Sequence, residues 1–266
     1  MRYSIYEGVK RFKTKTTALI SSIVLGLGGV GAGLLIPLTA HAVTCTSVST
    51  SKGALTAAQV GGNVTTPLDA TGCQIGVYYD SANTGDVSSE IFGATYYGVF
   101  VDGRVGDVNV NATNSHIHNI GETPFNGAQH GLAIYYYGYQ TTGNVTGVVD
   151  GNTVDNYQKG GITVNGENAT VDVTDNTVTG FGPVGFIAQN GIQIGFGATA
   201  PEFEGNNVSG NIYTQNGSCA PGCVGSAVGV VSTGVLFYLA TDAPKTGTVA
   251  KNNHVYKNQA NITIIN

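Results

Sequence analysis

His116 and His118 stand either side of one isoleucine in "SHIHN", and Asp155 follows the valine of a matching stretch, "NTVDN". Imidazole changes charge near neutrality, and a carboxylate beside it can orient the ring or share its proton, which is the equipment of general acid–base chemistry. His130, in "QHGLAIY", is a third imidazole, close in sequence to Tyr135. A second constellation is "VDGRVGD", where Arg104 lies between Asp102 and Asp107. It sets a cationic group, which can stabilise an enolate-like intermediate, between two acids that can hold a cation. The third is aromatic. Tyr135, Tyr137 and Tyr139 alternate through "YYYGY", after "TYYGVF" at 95–100. Flat rings on an outer surface can stack on sugar rings, and exposed aromatic patches mark binding sites.

What must position these residues is a repeat. Glycines at 98, 131, 161, 191 and 234 each open a short alternation, and Asn261 takes the glycine's place at the end. Apolar residues follow at the first and third positions: Val99/Val101, Leu132/Ile134, Ile162/Val164, Ile192/Ile194, Val235/Phe237 and Ile262/Ile264. Period two puts each pair on one face of a strand. A second element, "NTV" at Asn152 and Asn176, "NNV" at Asn206 and "NHV" at Asn253, recurs within each period, with "SHI" at Ser115 as its earliest copy. Short β patterns precede it, among them "VDVTD" and "GTVAK". Each period thus holds about three short strands, and self-similarity at 20–50 residues means a solenoid or array. One repeat cannot bury its apolar face alone, so stacking must supply the core, and the recurrent Asn can stack and hydrogen-bond in one turn. If Ile117, Val154, Val178, Val208 and Val255 point inward, His116, His118 and Asp155 share an outer face on neighbouring repeats. Stacked strands lie about 4.8 Å apart, within reach of one another and of a sugar. The simpler reading of the same residues is an ordinary solvated polar face.

The stretches "GITVNGENATVDVTDNTV" and "GIQIGFGATAPEFEGNNV" resemble the repeats of right-handed parallel β-helix proteins of the pectate-lyase-like superfamily. The resemblance covers 91–266 and implies an all-β fold, a right-handed parallel β-helix (solenoid), with 43–90 capping its N-terminal end. That scaffold carries many functions. Its members include pectate lyases, polygalacturonase-like hydrolases and uronate epimerases. The hydrolases' Asp-Asp pair and Gly-His-Gly element are missing, "QHG" being the nearest fragment, and the epimerases' Asp-Pro-His element is missing too. The long period from Gly191 to Gly234 contains an insertion, and insertions in repeat proteins usually map to surface loops on one side, often the binding side.

Residues 1–42 carry a basic start (Lys10, Arg11, Lys13, Lys15), an apolar run from Ala18 to Leu38 and "AHA". That is the layout of an export signal cleaved after Ala42, with an uncleaved membrane anchor as the alternative. Beyond it, six basic and fifteen acidic residues leave a formal charge of −9, which disfavours nucleic acid as a partner. Cys45, Cys73, Cys219 and Cys223 form an even set behind an export signal, which favours disulfides; Cys45–Cys73 and Cys219–Cys223 are the expected pairs. Their spacing does not suit zinc, and no metal site is read from the sequence. The reading is an exported protein, secreted or at the cell surface, that contacts polysaccharide without catalysis through Tyr135, Tyr137 and Tyr139. A uronate lyase or epimerase is the alternative, with calcium as a cofactor only if a lyase and with His116, His118, His130, Asp102, Arg104 and Asp155 as its candidate catalytic residues. A structural or adhesive rod is the third reading.

Overall fold

A computed structural model describes residues 43–214, 231–241 and 246–265. The N-terminal segment 1–42 and the Cys219–Cys223 pair lie outside the described residues. Among the described residues no helix is long and apolar enough to cross a membrane.

The fold is all-β, built on three sheets that the chain visits in turn. Leu132–Tyr137 lies in the first sheet (A), Val145–Asp150 in the second (B) and Thr153–Asp155 in the third (C). Gly160–Asn165 then returns to A, Ala169–Thr174 to B and Thr177–Val184 to C, and the next period repeats the order. Each strand pairs in parallel with its counterpart one period on, so Ile134, Ile162, Ile192, Val235 and Ile262 form one continuous ladder in sheet A. In sheet C the inward ladder is Ile91, Ile117, Val154, Val178, Val208 and Val255, the register that the alternation predicts from Ile117 onward. The inward columns merge into one apolar core.

The recurrent glycine has a steric cause. A β-carbon on Gly161 or Gly191 would stand 2.6 Å from the carbonyl oxygen of Gly191 or Gly234, the residue beside it in the next period. One alignment is corrected here. In "GLAIYY" the inward pair is Ile134 and Tyr136, not Leu132 and Ile134, because Val99 pairs with Ile134. Ala133 occupies the glycine column, while Gly131 has a positive φ of 86° in the turn before it. A slip of two residues preserves the alternation, so periodicity alone does not detect it. The same column extends back to Gly76, where "GVYY" pairs Val77 with Val99 and Tyr79 with Val101.

The predicted asparagine stack is present. Asn152, Asn176, Asn206 and Asn253 are buried, and each of the first three donates from Nδ2 to the next one's Oδ1 at 2.9–3.0 Å. Each also donates its backbone N–H to the same oxygen. The amides thereby satisfy one another in a turn that the core closes to water.

The two ends of the stack differ from its middle. "GTVAK" is not a strand: Thr246–Asn252 is a short helix. Among the described residues the neighbouring strand of sheet B, Phe203–Glu204, has no further strand to pair with on that side, and a helix satisfies its own backbone while Val249 seals the core. At the other end, Thr46–Thr50 and Gly53–Val60 form an antiparallel hairpin, and the parallel ladder of sheet A begins at Gly53–Val60. Cys45–Cys73 ties the start of this hairpin to the loop before Ile75–Tyr79. A covalent loop of 28 residues is worth about 3–4 kcal/mol on the chain-entropy model. Replacing both cysteines with serine should lower the unfolding free energy in urea by about that much; an unchanged midpoint would show that the hairpin adds nothing to the cooperative unit.

Candidate functional site

The outward face of sheet A changes character along the stack. Its outward column reads Tyr78, Phe100, Tyr135, Thr163, Gln193 and Leu236. Large rings at the N-terminal end give way to Thr163 and Gln193 in the middle of the column, while Gly160 and Gly195 leave gaps in the flanking columns. The result is a trough. One part, about 260 Å³, is lined by Lys52, Tyr135, Tyr137, Tyr139, Asn165 and Phe196. It runs into a second part, about 310 Å³, which adds Lys159, Asn190 and Gln193 and shares Tyr135, Asn165 and Phe196.

The three tyrosines expected to bind sugar take different roles. Tyr135 is only 5% exposed and forms part of the floor, stacked on Phe100 at 5.3 Å inside a second apolar cluster with Tyr78, Tyr97 and Leu55. Burial raises its hydroxyl pKa well above the ordinary value. Tyr137 is half-buried with the Lys52 ammonium 3.8 Å from its ring centre, and Tyr139 is exposed. Phe196, which the sequence reading passed over, completes the rim: it is 39% exposed, packs edge-on to Tyr139 at 5.6 Å and holds a φ of +57°. A bulky residue in that region is strained and needs support from its surroundings. A row of amides crosses the trough, with Asn190 donating to Gln193 and Gln193 to Asn165. Burial lowers the pKa of both lysines, and the Asp102 charge offsets part of the shift at Lys52.

A different set of groups meets on the outward face of sheet C. His116 Nε2 lies 2.8 Å from Asp155 Oδ2, His118 Nε2 lies 2.9 Å from Glu90 Oε1, and the two imidazoles stack at 4.2 Å. The structure thus brings His116, His118 and Asp155 together and adds Glu90. A signal for Glu90 was present: "SEIF" at 89–92 matches "SHIH" at 115–118, and Ile91 pairs with Ile117.

The remaining candidates lie apart from this cluster. His130 pairs with Glu122 at 2.9 Å and stacks on Tyr96. Asp102 is wholly buried and accepts from the backbone N–H groups of Ser51 and Arg104. Burial raises its pKa, and those hydrogen bonds with the Arg104 charge oppose the rise. Arg104 donates from Nη2 to the Ser49 carbonyl, and Asp107 accepts from Asn144. The "VDGRVGD" segment therefore pins the hairpin turn and a neighbouring period, with Asp102 closed to solvent.

What this geometry defines is a class by architecture: an all-β protein of long parallel sheets, with an aromatic trough on one sheet and a histidine–carboxylate cluster on another. No family model matches the chain, and neither a curated protein nor a solved structure is significantly similar to it.

Proposed function

We propose that the protein is an exported right-handed parallel β-helix that binds an acidic polysaccharide along the outward face of sheet A without turning it over. The observation that carries this reading is the trough itself: exposed rings of Tyr139 and Phe196, an amide row and two lysines around one concave surface. Rings stack on pyranose faces, amides exchange hydrogen bonds with hydroxyls, and ammonium groups meet uronate carboxylates. The cyclic order of parallel strands supports the helix, and parallel crossovers are right-handed in about 98% of cases. The layout of residues 1–42 and the Cys45–Cys73 bond support export.

The test is a glycan array followed by calorimetry on polygalacturonate, alginate and a neutral glucan, beside an absorbance assay for unsaturated uronates with and without calcium. Acidic polymers should bind, and Phe196→Ala should weaken them about 2- to 12-fold, the worth of one aromatic contact. Affinity should fall as pH rises through the lowered lysine pKa values, below the range where an ordinary lysine discharges. Unchanged affinity in Phe196→Ala, or no binding to any glycan, would rule out the trough. Calcium-dependent turnover would rule out the non-catalytic part.

A further inference from the structure

We infer that Glu90, His116 and His118 bind one divalent transition-metal ion of the Zn²⁺ kind, with Asp155 as the group that orients His116. The inference is independent of the polysaccharide reading, since the cluster lies on sheet C and the trough on sheet A. Among the described residues this is the group of His, Cys, Asp and Glu side chains whose donor atoms, one from each, all lie within 4.8 Å of one another.

The hydrogen-bond pattern favours an ion over a simple ion-pair network. Ionised Asp155 can only accept, so the 2.8 Å contact places a hydrogen on His116 Nε2. A neutral His116 then presents a lone pair at Nδ1. That nitrogen stands 4.0 Å from Glu90 Oε1, too far for a hydrogen bond to bridge them. Two electron-rich atoms thus face each other across a gap, while His118 Nε2 donates to the same carboxylate oxygen at 2.9 Å and passes its hydrogen to Nδ1, or releases it, when it ligates. Donor atoms bound tetrahedrally at 2.0–2.1 Å stand roughly 3.4 Å apart. The two observed separations bracket that value, so small side-chain rotations suffice.

The surroundings agree. A carboxylate on the remote nitrogen of a ligating histidine is the usual orienting arrangement, and here it selects Nδ1 of His116 as the ligand. Phe92 stacks on His118 at 5.4 Å, extending the row of rings. Among the described residues no Lys or Arg pairs with Glu90 or Asp155, so two carboxylates beside neutral imidazoles leave negative charge for a cation to balance. His116 and Glu90 are 42% and 39% exposed, which leaves the outer coordination position open to water or a ligand.

The experiment is calorimetric titration of the chelator-treated, untagged protein with zinc sulfate in a non-coordinating buffer. Binding should saturate at one equivalent. His118→Ala and Glu90→Gln should each weaken it at least 10-fold, and Asp155→Asn about 10- to 100-fold through the lost orientation. His254→Ala, on the same outward ladder, should leave it unchanged. Nitrogen NMR of the imidazoles should show His116 protonated at Nε2 before metal and a shifted Nδ1 after it. No binding, or equal binding by the His116→Ala/His118→Ala variant, would overturn the site. A full response in Asp155→Asn would remove the orienting role.

Discussion

Asn206→Asp is expected to unfold the protein at neutral pH, while Asn207→Asp, one residue on, changes stability by no more than about 0.5 kcal/mol. The two substitutions are chemically identical and differ only in where the side chain points. Asn206 is fully buried, and its Nδ2 donates to the Val173 and Glu204 carbonyls and to Asn253 Oδ1. A carboxylate there would face three acceptor oxygens with no cation beside it. Neutralising it at pH 7 against an ordinary value of about 3.9 costs about 4 kcal/mol. Even when protonated, the acid supplies one donor where the amide supplied two, which costs roughly 1–3 kcal/mol more. The sum approaches the whole stability of a typical domain, about 5–15 kcal/mol. The pH dependence has a definite sign. A buried carboxyl has its pKa raised in the folded state, so its penalty is greatest at neutral pH and shrinks as pH falls towards the unfolded value. The variant should therefore regain part of its stability near pH 4, measured as a thermal midpoint against the parent protein. A midpoint at pH 7 equal to that of Asn207→Asp would show that the asparagine column does not hold the turns together.

The asparagine column and the inward ladders were readable because each arises from local alternation multiplied by stacking. Period two fixes the face of every residue within a strand, and repetition aligns those faces between strands. Leu132 marks the limit of that logic. Ala133 carries a β-carbon in a column otherwise favouring glycine, and Gly131, two residues before it, imitates the start of the column in sequence. What escaped the sequence at the trough was tertiary. Tyr135 alternates as an outward residue should, yet it is buried in a cluster completed by Leu55 and Ala57 of the second hairpin strand, Gly53–Val60. Nothing in "YYYGY" reports a segment 80 residues earlier in the chain. Phe196 was invisible for the opposite reason: it is a lone aromatic in a turn, outside any periodic strand, and only the approach of Tyr139 and Tyr238 makes it part of a surface.

Ile192→Asp against Gln193→Asp separates scaffold from surface at a single step along one strand. Ile192 is fully buried between Ile162 and Val235. Truncating such a side chain costs about 2–5 kcal/mol in lost transfer energy and cavity, and neutralising the new carboxyl at pH 7 adds about 4 kcal/mol. The variant should fail to fold or melt far below the parent. Gln193 points the other way, into the trough, where it donates to Asn165 and accepts from Asn190. Losing those half-exposed amide contacts costs about 1 kcal/mol each at most. Gln193→Asp should therefore keep its parallel sheets by circular dichroism. It would also set a negative charge among Lys52, Lys159 and the amide row, so an acidic polysaccharide should bind it more weakly than the parent while a neutral one is less affected. Similar melting temperatures for the two variants would break the register of sheet A. A folded Gln193→Asp protein with undiminished affinity for acidic polymers would leave the register standing and move the binding surface away from the trough.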